Sequence, residues 1–292
     1  KLNGYFDRLL DDSKDRIVLI DTDSVVLTLN DLVEKVCADK TTEQKIKFMD
    51  KIADSKVQPF LDESYQELAD YMNAYEQKMQ MKRENLVDTM ISVSKKRYVM
   101  NVHNSEGVQY KEPKLKIMGL QMVKSSTPAV IRDKLKDSLH TILKGTEADV
   151  QKYVADYRQE FGNLTTEEIA FPRSISDVRK YQSSTTVYAK GTPIHVRGAL
   201  LYNHHLKRLG LQKKYPSIQE GDKIKFTYLK TPNPFHEDCI SFPDKLPPEF
   251  GLTEYVDYDT MFEKTFQDAV QNILDSLGWH AEQKATLEDF FA

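Results

Sequence analysis

Apolar positions at the start of the chain, Leu2, Tyr5, Phe6, Leu9 and Leu10, recur at three- and four-residue spacing and predict an amphipathic helix. A polar turn over residues 11–14 leads into RIVLIDTDSVVLTL, a β-branched run broken only by Asp21, Thr22, Asp23 and Ser24. That pattern predicts a hairpin with acids at its tip. A short helix over 31–36 follows, then a long one over 42–81 with Ile46, Met49, Ile52, Val57, Leu61, Tyr65, Leu68 and Tyr71 near helical intervals. Pro59 is expected to kink or divide it. ENLVDTMISVS and KKRYVMNVHNSEGVQY alternate, with a turn at 104–107 before a third strand, so a small antiparallel sheet is predicted.

After Thr127 the period changes. TPAVIRDKLKDSLHTILKG reads as a helix with a Thr cap, Pro at its first position and Gly145 at its end. A second helix is expected over 147–161, another over 194–209, a strand in GDKIKFTYLK and a final helix over 258–277. Proline and glycine cluster over 231–251, and no internal repeat is visible.

The composition is that of a folded chain of two domains: 292 residues, 40% hydrophobic and 29% charged. Cys37 and Cys239 are far apart and lack metal-ligand spacing, which argues against a disulfide framework or zinc site and makes a reducing cytosol the default. No apolar run reaches membrane-spanning length, so no membrane partner is expected. The net charge of −4 conceals a division. Residues 95–230 carry 25 Lys and Arg against 13 Asp and Glu, whereas both flanks are acidic. Nucleic acid is therefore not excluded by the average.

Asp21 and Asp23 are spaced so that, in an extended strand, both project from one face while Thr22 points away. Two carboxylates so placed suit Mg²⁺, which binds through one or two carboxylates together with substrate phosphates. An acidic turn in solvent gives the same triplet. The apolar runs 17–20 and 25–29 bring these acids to the edge of a sheet, which favours the metal reading.

The run VLIDTDSVVL resembles motif C of family B DNA polymerases, a Tyr-Gly-Asp-Thr-Asp-Ser sequence between two palm strands. SKKRYVMNV resembles the Lys-x-Tyr motif of that family, and EPKLKIMGLQMVKSSTP resembles the palm-to-thumb junction of the enzymes of large tailed phages. The order continues through HVRGALLYN, NPF…DCISFP and FEKTF…LEDFFA, so the resemblance spans essentially the whole chain.

This resemblance implies an α+β fold: the C-terminal part of a palm, an antiparallel sheet with helices, over 1–119; a mainly helical thumb over 120–280; and a clamp-binding tail over 281–292. It implies that Asp23 binds two catalytic Mg²⁺ ions and that Asp21 helps set their coordination, the ions being shared with an Asp on an N-terminal part. Leu19 and Ile20 replace the usual Tyr-Gly, and Glu84 matches a nearby palm carboxylate. Lys95, Lys96, Arg97 and Tyr98 match the motif that grips duplex at the primer end, with Lys96 reaching the terminal base pairs as part of the catalytic set. Asn104 stands where phage relatives carry an acid. Duplex phosphates are expected on the basic section, with Lys114, Lys116, Lys124, Ser125, Ser126, Lys180, Tyr181, Lys190, His195 and Arg197 as candidates. His204 and His205, adjacent on a helix, point apart and do not suggest zinc. In the tail, Leu287, Phe290 and Phe291 share one side of a helical turn, as a peptide docking on a sliding clamp would, with Lys284 where related peptides carry Gln.

Motifs A and B and a 3′→5′ exonuclease have no counterpart in these residues. The resemblance therefore implies the C-terminal portion of a replicative DNA-directed DNA polymerase, which adds dNTPs to a primer 3′-OH by two-metal nucleotidyl transfer. It would need an N-terminal partner with exonuclease, motif A and fingers, being either the natural product of a split polymerase gene or a cut piece of a longer chain, and work in the host cytoplasm within a phage replisome. The chief alternative is a non-catalytic module that binds duplex DNA and a clamp. A sugar-nucleotide transferase using an Asp-x-Asp motif would leave KKRY, the basic section and the aromatic tail unexplained.

Overall fold

The computed structural model describes residues 1–183 and 186–283. The fold is α+β, with three small antiparallel sheets set among helices. The chain divides into two compact units, Lys1–Met118 and Gly119–Ala292.

In the first unit, α1 (Leu2–Leu10) buries Phe6 and ends where Asp11 turns left-handed, its N–H closing onto the Asp7 carbonyl. β1 (Ile17–Asp21) and β2 (Ser24–Leu27) form an antiparallel hairpin with Ile20 opposite Val25 and Asp21 opposite Ser24. Two helices follow, α2 (Asn30–Cys37) and α3 (Thr42–Ile52). At the start of α3, Thr41 and Gln44 cap each other, each side chain accepting from the other's backbone N–H.

A π-helical turn, Ala53–Val57, joins α3 to α4 (Gln58–Tyr71). The expected break at Pro59 is thus displaced. Pro59 occupies the first turn of α4, and the wider π turn immediately before it accommodates the ring and the missing N–H. The helix also ends ten residues earlier than its apolar spacing predicts. Asn73 is left-handed at φ 52, and the Ala74 N–H reaches back to the Ala69 carbonyl at 2.9 Å, which terminates the helix although apolar residues continue beyond it.

β3 (Asn85–Ser94), β4 (Arg97–Ser105) and β5 (Val108–Met118) form one antiparallel sheet with β4 in the centre. Central placement explains why Val99, Met100, Asn101, Val102 and Asn104 are all buried. Helix α3 packs on β3.

The second unit begins with a 3₁₀ turn, Gln121–Val123, followed by α5 (Ala129–Lys144) and α6 (Glu147–Phe161). Thr127 does not cap α5 as its sequence suggests. Pro128 is the capping residue in an extended conformation, and the Thr127 hydroxyl donates instead to the Gln121 carbonyl at 3.1 Å. The chain continues through α7 (Thr166–Ile169), β6 (Phe171–Ser174), α8 (Val178–Tyr181), α9 (Ile194–Arg208), β7 (Lys223–Tyr228) and β8 (Cys239–Phe242). The strands pair in the order β6-β7-β8, a sheet of which the sequence reading contained only β7.

Helix α9 lies on β8 through Gly198, where a Cβ would stand only 2.7 Å from the Ser241 backbone nitrogen. A continuous helical path closes the unit: α10 (Tyr258–Phe262), a π turn, α11 (Asp268–Leu274) and a 3₁₀ turn ending at Leu277. Phe262 and Phe266 on this path meet Tyr157 and Phe161 of α6 in an aromatic cluster.

Candidate active site

The acidic hairpin is held at its base by a buried arginine. Arg16 is 2% exposed, and its guanidinium donates to Asp7 at 2.9 Å, to both oxygens of Asp12 at 2.6 and 2.7 Å, and to Asp31 at 2.6 Å. These carboxylates come from α1, the turn after it and α2. One side chain therefore ties both flanking helices to the first strand of the hairpin. The bonds to Arg16 hold the Asp31 carboxyl below its ordinary range.

At the other end of the hairpin, β1 stops at Asp21, and Thr22–Asp23 forms the turn. The shared strand face expected for the two acids does not exist, because Thr22 is left-handed at φ 53 and Asp23 leaves from a turn position. What holds them close is the tightness of the turn: the Asp23 N–H donates to the Asp21 carbonyl at 2.7 Å, and the Ser24 hydroxyl donates to the same carbonyl at 3.2 Å. A β-branched residue at positive φ costs of order 1–3 kcal/mol, a conformation found most often where function requires it.

The second predicted motif meets the first here. Lys95 and Lys96 form the turn between β3 and β4, with Lys96 left-handed at φ 61. Its ammonium stands 3.7 Å from Asp21 Oδ1. Arg97 and Tyr98 open β4 as half-buried side chains, while both lysines are exposed. The tip thus presents two carboxylates beside a cluster of cations. Their hard oxygen donors are of the kind Mg²⁺ prefers. Among the described residues no group of three or more His, Cys, Asp or Glu could hold a metal ion.

Glu84 makes a different contact. It pairs with Lys116 of β5, which holds its carboxyl below the ordinary range and engages one of the cations expected to meet DNA. Asn104 has a structural role that the sequence did not reveal. It is 1% exposed, and its side-chain oxygen accepts from Arg83 at 2.9 Å and from the Gly107 N–H at 3.1 Å. Arg83 in turn pairs with Asp50 of α3 at 2.5 Å. Asn104 thereby links the β4–β5 turn to the helix behind the sheet. Lys114 of β5 is exposed and lies over the Tyr110 ring.

The remaining candidates belong to the second unit. Lys124, Ser125, Lys180 and Lys190 are exposed, and Lys180 lies over the ring of Tyr181. The Ser126 carbonyl accepts from Arg173 at 2.8 Å. His195 is half-buried, and burial together with Arg173 lowers its pKa. Arg197 donates to Asp238 at 2.5 Å and lies over Tyr188, so much of its charge is engaged within the unit. His205 is buried and stacked on Phe235 while His204 is exposed. Lys284, Leu287, Phe290 and Phe291 lie outside the described residues.

A family model described as divergent family B DNA polymerase matches residues 9–167, a span that includes the acidic hairpin and the Lys96 turn. The chain belongs to the family B DNA polymerases. Over its whole length it is 33% identical to a DNA-directed DNA polymerase of Enterobacteria phage T4 and 32% identical to one of Escherichia phage RB69. It spans 34% and 33% of those two proteins, about a third of each family B relative.

Proposed function

We propose that this chain is the C-terminal portion of a replicative DNA-directed DNA polymerase, its first unit contributing to the palm and its second forming the thumb. The observation that carries this reading is the meeting of the Asp21–Asp23 tip with the Lys96 turn inside the segment that matches the family. An acidic tip alone is ambiguous, but an acidic tip beside a turn of cations offers separate groups for metal and for nucleic acid phosphates.

In this reading Asp23 and Asp21 hold divalent metal, and Lys95, Lys96, Arg97 and Tyr98 orient the primer end. Bound there, Mg²⁺ supplies stabilisation of negative charge on the attacking and leaving oxygens of nucleotidyl transfer. Lys96, on its tight turn, keeps a positive charge beside the reacting end of the primer. Lys124, Lys180 and Lys190 are exposed cations, which suits sequence-independent phosphate contact.

The chain spans about a third of the length of its relatives, and in this reading incorporation also draws on exonuclease, fingers and a further metal-binding Asp of the polymerase. The open edges and exposed Val18 and Ile20 of the two-stranded hairpin support contact with those parts, since an unpaired apolar ribbon is a poor surface in water. A sliding clamp is proposed as the partner of the tail.

The test is primer extension by the reconstituted polymerase. Asp23→Ala is expected to abolish extension while leaving duplex binding intact. Normal extension by that variant would remove Asp23 from the metal site.

A further inference from the structure

Arg173 of β6 shares a sheet face with Phe171 and, across the ladder, with Phe226. The two rings stack with centroids 5.0 Å apart, and the guanidinium lies 5.5 Å from the centre of the first and 5.9 Å from that of the second. Its Nη1 donates to the Ser126 carbonyl at 2.8 Å and to the Pro172 carbonyl at 3.0 Å. These contacts hold the guanidinium in place, yet none brings it a negative charge. Arg16, Arg83 and Arg197, which are buried or half-buried, each face a carboxylate. Arg173 is half-buried as well, but among the described residues no acid pairs with it, and burial lowers its pKa. Both of its bonds leave from Nη1, so the Nε and Nη2 donors have no partner among the described residues.

We propose that Arg173 binds a backbone phosphate of duplex DNA, with the Lys124–Ser126 segment and His195 at the margins of the contact. The proposal deepens the reading of the second unit as the part that holds duplex, and rests on it. A partly desolvated cation without a counter-ion is costly, and a bound anion relieves that cost. The planar fork of a guanidinium matches the oxygens of a phosphate, and a fork already held by two carbonyls and two rings loses little freedom on binding. The surroundings select the same ligand. Lys124 and Ser125, both exposed, immediately precede the residue whose carbonyl holds Arg173. The His195 ring stands 6.4 Å from that of Phe226, and the charge of Arg173 helps to lower its pKa. Three groups expected from the sequence to meet phosphates thus gather around an arginine that no sequence motif marks.

The experiment measures binding of a short primer–template duplex to the full chain over a series of salt concentrations, with Arg173→Gln and Arg173→Lys as variants. Gln removes the charge and keeps an amide donor for the Ser126 carbonyl. It is expected to weaken binding about tenfold, the scale of one charge-assisted contact, and to reduce the slope of log affinity against log salt by about 0.9, the share of one phosphate. Lys keeps the charge without the fork, so it should retain the slope while losing part of the affinity. Weaker binding by Arg173→Gln at an unchanged slope would give Arg173 a purely structural role through Ser126 and overturn the proposal. Equal affinity and slope in all three chains would overturn it too, while leaving the duplex-holding reading in place. Should the unmodified chain bind no duplex, that reading fails and takes this proposal with it. If a deoxynucleoside triphosphate displaces duplex from the unmodified chain but not from Arg173→Gln, the occupant is a free nucleotide and the duplex assignment is overturned.

Discussion

Lys96 Nζ lies 3.7 Å from Asp21 Oδ1, which joins the turn of one hairpin to the tip of another. Both residues are at least partly exposed, with Lys96 at 64%. Such a pair contributes little to stability, typically about 0–1 kcal/mol. Its value lies in where it holds the ammonium.

Lys96→Ala is therefore expected to leave the melting transition nearly unchanged while lowering primer extension by the reconstituted polymerase about tenfold or more, the scale of one charge-assisted contact. Thermal unfolding and extension rates measured on the same preparation separate the two effects. Extension at the unmodified rate would deny the turn a part in gripping the primer.

Arg16 has the opposite profile. It sits in the interior against Asp7, Asp12 and Asp31, so Arg16→Ala leaves three carboxylates crowded together without their cation. Losing the cation that three carboxylates share is expected to destabilise the first unit. Denaturant unfolding should show a lowered midpoint, and an unchanged midpoint would mean that the acids relax into water.

Asn104 offers a finer comparison. Asn104→Ala strands the Arg83 guanidinium and the Gly107 N–H, at a cost of about 1–3 kcal/mol. Asn104→Asp keeps an acceptor for both donors and adds a charge opposite Arg83, so it should be tolerated far better. Urea midpoints for the two variants decide the point; equal losses would show that the carboxylate cannot be accommodated in this interior.

His205 makes stability depend on pH. Burial against Phe235, reinforced by nearby Arg208 and His204, lowers its pKa from 6.5 to about 4. Between those values the unfolded chain binds the proton and the folded chain does not, so the free energy of unfolding falls as pH drops through that window. The contribution is complete above pH 6.5 and is lost by about pH 4, up to about 3 kcal/mol. His205→Phe should flatten that part of the profile. An unchanged slope would assign the acid sensitivity to other groups.

The sequence made the acidic hairpin legible because its β-branched runs and polar tip are contiguous. It also showed most helices of the second unit, where periodicity is sustained and Thr146 caps α6 with Asp149. Other features depend on residues that meet only in three dimensions. The acids around Arg16 are scattered over two helices and a turn, and nothing local marks them as a set. Strand β8 is buried at every position, so its residues show no alternation, and the surrounding prolines obscure it further. The end of α4 depends on the left-handed backbone of Asn73, which the spacing of apolar residues does not report. At the candidate site, the residue types pointed to metal and phosphate, whereas the relation between Asp21 and Lys96 came only from two turns meeting.

The π turn at Ala53–Val57 also sets a phase. One extra residue in a helical turn rotates everything after it by about 100° around the axis. Helix α3 buries Ile46, whereas α4 buries no side chain at all. The wide turn thus works like an offset coupling in a shaft: the first half is keyed into the sheet while the second directs its own face elsewhere. Removing a single residue there would rephase the second half without altering any side chain on it.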